Sequence, residues 1–276
     1  MEKNLLRLSS LLFLKNNNMK PNLLMAIILP VFAACQQNQN ASDTNNNHAG
    51  NISDDTIPSS INAVPLPTGY TRIDAGKNSF TEWLRNIHLK KDKTVYLYNG
   101  LPKRNQSAQF AVLDISVGNK DLQQCADAVM RLRAEYLFAE KKFSEILFRD
   151  NNNLAYELGM NHDRTNFDHY LNNVFAHCGS LSLQKQLNPI TNLNSIQPGD
   201  VLIQGGSPGH AMIIVDMAED KNGKKIFLLA QSYMPAQDIH IVVNPMNKTL
   251  SPWYELNDQT IYTPEWTFPK NHFRTW

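Results

Sequence analysis

Cys125, His210 and Gln231 are the residues whose types and order suit nucleophilic chemistry at a carbonyl. A thiol at the start of a helix gains from the positive end of the helix dipole, which lowers its pKa and favours the reactive thiolate. Cys125 stands at such a start: Asn119 and Asp121 precede the run Leu122 to Phe138, in which Leu122, Ala126, Val129, Arg133 and Tyr136 keep helical spacing. A cysteine nucleophile needs a base. His210 opens an apolar run directly after Gly205-Gly206-Ser207-Pro208-Gly209, a turn whose backbone can hold an imidazole at a sheet end. The imidazole needs an orienting partner, and Gln231 comes level with it, within a few residues, when counted through the Asn222-Gly223 turn. Ser232 competes for that role. Gln123 and Gln124, just before the thiol, are candidate oxyanion donors, and Gly205, Gly206, Ser207 and Gly209 would shape a cleft wall beside His210. Cys125 also falls on an apolar stripe with Leu122, Val129 and Leu132, so core packing is a competing role, and a disulfide from Cys125 to Cys178 is another.

Other constellations are weaker. His162, Asp163, Asp168, His169 and His177 are metal-ligand types, but their spacings match no compact ligand motif, so no metal or other cofactor is expected. The glycine-rich segment at Gly205 lacks the Lys-Ser/Thr of a phosphate loop and precedes a strand pattern, not a helix. Trp253-Tyr254 and Trp266-Thr267-Phe268 could stack on sugars, although large aromatics late in a chain more often finish the core. With 26 Lys+Arg against 25 Asp+Glu and no basic cluster, nucleic acid is not an expected partner. Three cysteines without a C-x-x-C exclude a disulfide scaffold and a four-cysteine zinc module.

The elements that must position these residues follow an address. From Met19 the chain has a short cationic start, an apolar run too short to span a bilayer, and Ala33-Ala34-Cys35, which resembles a bacterial lipobox. Residues 1–34 are therefore expected to be a lipoprotein signal peptide, starting at Met1 or Met19, with lipid attached to Cys35 as the membrane anchor. Residues 35–64, rich in Asn, Gln and Ser, read as a disordered tether, and residues 65–276 as one domain. Hydrophobic residues make up 42% of the 276, ample for a core. Within that domain Thr94–Tyr98 and Gln109–Ile115 read as strands, Phe167–Phe175 as a second helix, and four later strands as an antiparallel meander: 200–204, 210–217, 225–233 and 239–243.

Gln124-Cys125, Gly199-Asp200-Val201-Leu202-Ile203 and Gly209-His210-Ala211-Met212-Ile213 follow the order of the motifs in papain-like hydrolases of the NlpC and CHAP type, which the chain resembles. That resemblance implies an α+β fold, papain-like, with a helix packed on an antiparallel meander. It also implies a bacterial cell-envelope cysteine hydrolase, with Cys125, His210 and Gln231 as catalytic residues and peptidoglycan peptides or a protein as substrate. A second likeness, carried by Gln204 to His210 and Ala230 to Asp238, covers most of residues 65–276 and is to a lipoprotein family known as domain of unknown function 4846. The alternative from another class is a non-catalytic envelope lipoprotein that binds a wall fragment or partner protein. The sequence specifies no oligomeric state.

Overall fold

The computed structural model describes residues 57–276. Cys35, the expected signal peptide and most of the expected tether lie outside the described residues. In chain order the first half contains β1 (Tyr70–Arg72), α1 (Phe80–Arg85), β2 (Gln109–Val112), α2 (Cys125–Ala139), β3 (Leu147–Arg149), β4 (Ala155–Glu157), α3 (Arg164–His177) and α4 (Ser180–Gln186). The second half is strands: β5 (Asn188–Pro189), β6 (Val201–Gln204), β7 (His210–Asp220), β8 (Lys225–Gln231), β9 (His240–Val242), β10 (Tyr254–Glu255), β11 (Ile261–Tyr262), β12 (Thr267–Phe268) and β13 (Phe273–Thr275).

The main sheet runs β2-β9-β8-β7-β6-β13-β5, with β1 also on β7 and β10 also on β8. Its pairings are antiparallel, and β6 to β9 are the expected meander. The fold is thus mixed α and β, as expected. β7 is apolar along most of its length because both its faces are covered. Ala211, Ile213 and Val215 face a core shared with Ala126, Val129 and Leu132 of α2, while Met212 and Ile214 face a second core with Phe268 and Phe273. Side chains alternate across a strand, so this parity decides which face His210 takes.

Helix starts follow from capping. The Ser79 side chain accepts the Glu82 N–H at the head of α1, and Asp163 accepts the Asn166 N–H at the head of α3. At the far end of β7, fully buried Asp216 takes Arg72 Nε at 2.7 Å and Arg85 Nε at 2.6 Å, tying β1 and α1 to the sheet.

Three expectations change. Ile61 and Val64, placed in the tether, are buried core residues, because Ser60 bridges His88 and brings them under the sheet. Thr94–Tyr98 is not a strand: the Asp238 carboxylate takes the Tyr96 N–H at 3.0 Å, and only isolated bridges to Pro102 and Gln237 form. The meander does not end at β6, since β13 pairs along its outer side.

Candidate active site

Cys125 is the first residue of α2, and its neighbour Gln124 is the N-cap. The Gln124 N–H donates to Asp127 Oδ2 at 3.0 Å, half of a capping box that fixes how the chain enters the helix. This places the half-buried thiol at the end of the sheet, where the Ala211 backbone N–H hydrogen-bonds the sulfur. Burial pushes the Cys125 thiol above its ordinary value, with the nearby Asp127 carboxylate acting the same way; the N–H groups of Ala211, Ala126 and Cys125 itself act against them. The dipole-lowered thiol expected from the helix start is therefore not found, because desolvation outweighs the helix terminus.

His210 opens β7 and shares its face with Met212 and Ile214, opposite the face that packs on α2. Thiol and imidazole thus reach the sheet end from opposite faces. They meet in one cavity of about 430 Å³, also lined by Gly206, Ser207, Tyr233, Met234 and Trp266. The imidazole is walled by Tyr233 at 4.8 Å, Trp266 at 5.2 Å and Phe268 at 5.9 Å between ring centres. Burial lowers its pKa to about 4, so the ring is neutral at pH 7.

Its Nε2 lies 2.8 Å from Gln231 Oε1. β8 pairs with β7 so that Ala230 faces Ile213, which puts Gln231 opposite Met212, two residues along from His210 and on the same face. The near-level placement expected from the Asn222-Gly223 turn is off by this small step, and the irregularity between Ile214 and Asp216 shifts the register by the one residue that keeps Gln231 on the face of His210. Among the described residues no protein group bonds His210 Nδ1.

A family model described as domain of unknown function (4846) matches residues 61–158 and 150–275. The chain belongs to this family. No curated protein and no solved structure matches it.

In this member of the family of unknown function 4846, the remaining expected residues divide. Gln123 is not an oxyanion donor to the cysteine cavity: its buried Oε1 accepts from Arg131 Nη1 at 2.5 Å, and its side chain lines a different cavity, because the turn into α2 sends it back along the helix. Gln124 does line the cysteine cavity, with its amide 3.3 Å from Asp121 Oδ1. Gly206, Ser207 and Gly209 form the expected wall; Gly205 instead packs on α4, its N–H on Gln184 Oε1 at 2.6 Å. Gly209 is required by space, since a Cβ there would sit 2.3 Å from the Gly206 carbonyl oxygen. Ser232 does not serve His210, because its hydroxyl donates to backbone carbonyls of Gln123 and Gln237.

Cys178 is a free, buried thiol in the same cavity, so it forms no disulfide with Cys125 in this structure; burial pushes it up to about 12. Trp253 is core, whereas Trp266 stands against His210. The two carboxylates in and before α3 do structural work, Asp163 as its cap and Asp168 on Arg164 at 2.7 Å. Glu265, Lys103 and His240, which surround Gln231, were not singled out by the sequence.

Proposed function

We propose that this chain is a cell-envelope cysteine hydrolase that cleaves a peptide or amide bond through a Cys125 thioester, with His210 as base and Gln231 orienting it. The observation that carries the reading is the single cavity lined by a helix-start thiol and a strand-start imidazole whose Nδ1 has no protein partner among the described residues. The order of these residues is the order of the motifs in the papain-like resemblance of the sequence, and peptidoglycan peptides as substrate follow from that analogy alone.

Both groups are neutral at rest, so the sequence of proton moves is fixed. His210 Nδ1 takes the Cys125 proton as sulfur attacks the carbonyl carbon. The oxyanion meets backbone N–H groups at the head of α2, and the C–N bond then breaks as the imidazolium passes its proton to the leaving amine. Water, deprotonated by the same nitrogen, attacks the thioester and returns the thiol. Anchoring through Cys35 would hold the domain at a bacterial envelope membrane.

The burial of His210, 1% exposed, together with the raised thiol, favours a second reading: a lipoprotein that binds a wall fragment in this cavity without cleaving it. Incubating the full chain with purified muropeptides and following products by mass spectrometry separates the two. The hydrolase reading expects new amide-cleavage products that vanish in Cys125→Ala and His210→Ala. Intact muropeptides with the wild-type protein, or cleavage that survives Cys125→Ala, would overturn it, and intact but retained muropeptides would favour the binder.

A further inference from the structure

Behind Gln231 lies a buried polar relay. Its amide Nε2 donates to Glu265 Oε2 at 2.8 Å and lies 3.2 Å from His240 Nε2. Lys103 Nζ holds that same Glu265 oxygen at 2.6 Å, and Asn105 Nδ2 lies 3.3 Å from the other. His240 Nδ1 is 2.9 Å from the Asp238 carbonyl oxygen, an acceptor only, so Nδ1 carries the proton and Nε2 is bare.

Gln231 Nε2 therefore faces two acceptors, a carboxylate and a bare imidazole nitrogen. Turning the amide over would set its oxygen against both. The orientation is thus fixed, with Oε1 toward His210, and an oxygen can only accept. His210 Nε2 must then be the protonated nitrogen and Nδ1 the bare one.

We infer that Glu265, held by Lys103, is a positioning residue that selects the Nδ1-bare form of His210 by fixing the amide of Gln231. The inference rests on the hydrolase reading for its catalytic meaning, since only a bare Nδ1 can take the thiol proton. A buried ion pair is a poor way to gain stability, because desolvation offsets the attraction. The Lys103 and Glu265 side chains are only 8% and 15% exposed, and an apolar pair would fill the same space.

Long-range nitrogen–proton NMR spectra of the full chain, with signals assigned by their loss in His210→Asn, read the protonated nitrogen directly and need no substrate. Wild type is expected to show Nε2–H. In Glu265→Leu the amide keeps only its longer 3.2 Å contact to His240 Nε2, so the Nδ1–H form should appear beside the Nε2–H form. Glu265→Gln, whose amide oxygen can still accept from Gln231, should restore the wild-type signature. Should Glu265→Leu fail to fold because Lys103 is left unpaired, Lys103→Met with Glu265→Leu keeps the volume apolar and carries the same expectation. Wild type in the Nδ1–H form, or leucine and glutamine variants both indistinguishable from wild type, would overturn the inference. Muropeptide cleavage in the leucine variant should fall in proportion to the share of His210 found in the Nδ1–H form, whereas loss of the base itself in His210→Ala should cost roughly 10²-fold or more. A wild-type Nε2–H signature that responds as expected, in a chain that cleaves nothing, would refute the hydrolase and leave the positioning role standing.

Discussion

The reactivity of Cys125 is set by a contest between burial and three backbone N–H groups, and burial prevails. Neutral thiol and neutral imidazole therefore form the resting pair, unlike a thiolate facing an imidazolium. Alkylation of Cys125 by iodoacetamide should then be slow at pH 6 and rise about tenfold per pH unit to pH 8, because only the thiolate reacts and its fraction grows by that factor well below the pKa. Rates measured by intact-protein mass spectrometry would contradict this assignment if they were fast and flat from pH 5 to 7. In the proposed hydrolase, proton removal by His210 would have to accompany attack, so the bare nitrogen would matter more here than beside a ready-made thiolate. Cys178, pushed up to about 12, should label still more slowly.

At the scale of elements, the loop from Gly205 to Gly209 aims His210 by docking on α4. Gly209→Ala would drive a Cβ to 2.6 Å from Ser180 Oγ and 2.8 Å from the Gln204 carbonyl oxygen as well as into Gly206, costing about 1–3 kcal/mol of overpacking. Gly118→Ala is the comparison: its Cβ meets open space, and its φ of +79° alone costs about 1 kcal/mol. Denaturant midpoints should rank the two in that order, with His210 ring signals shifted only by the Gly209 change; equal midpoints and an unmoved ring would show that the loop yields. α2, α3 and β7 were legible because each presents enough residues for a period to show, 15 in α2 and 11 in β7, whereas the short β6 and β9 were legible through the turn signals that bound them. The two-residue strands β5, β10, β11 and β12 carry no readable alternation, and their pairing is decided by partners far along the chain. The site divides likewise. Cys125, His210 and Gln231 sit beside turn and cap signals, whereas Lys103 and Glu265 meet across 162 residues, and neither has a local pattern to betray it.

For the molecule as a whole, two buried imidazoles make stability depend on pH. Burial lowers His240 to about 3 and His210 to about 4, below the 6.5 of an exposed ring. As pH falls below 6.5 the unfolded chain takes protons that the folded chain refuses, so stability present at pH 7 is lost on acidification. Asp200, raised to about 6, works in the opposite direction, because the folded form holds its proton where the unfolded form has released it. Since these contributions overlap, the clean measure is a difference. His240→Gln should lose about 2 kcal/mol less than wild type between pH 7 and pH 5, the linkage value for one fully buried imidazole. Parallel losses in urea titrations of the two proteins would show that His240 takes up a proton while folded.

β13 gives β6 its outer partner, and Glu265 and Trp266 come only a few residues before it. During synthesis, then, thiol, imidazole and amide all emerge ahead of the residues that orient and cover them. A nascent chain halted short of Glu265 would expose a raw sheet edge beside a Gln231 amide without its carboxylate partner, so the sheet and the proposed positioning of His210 are completed together, late.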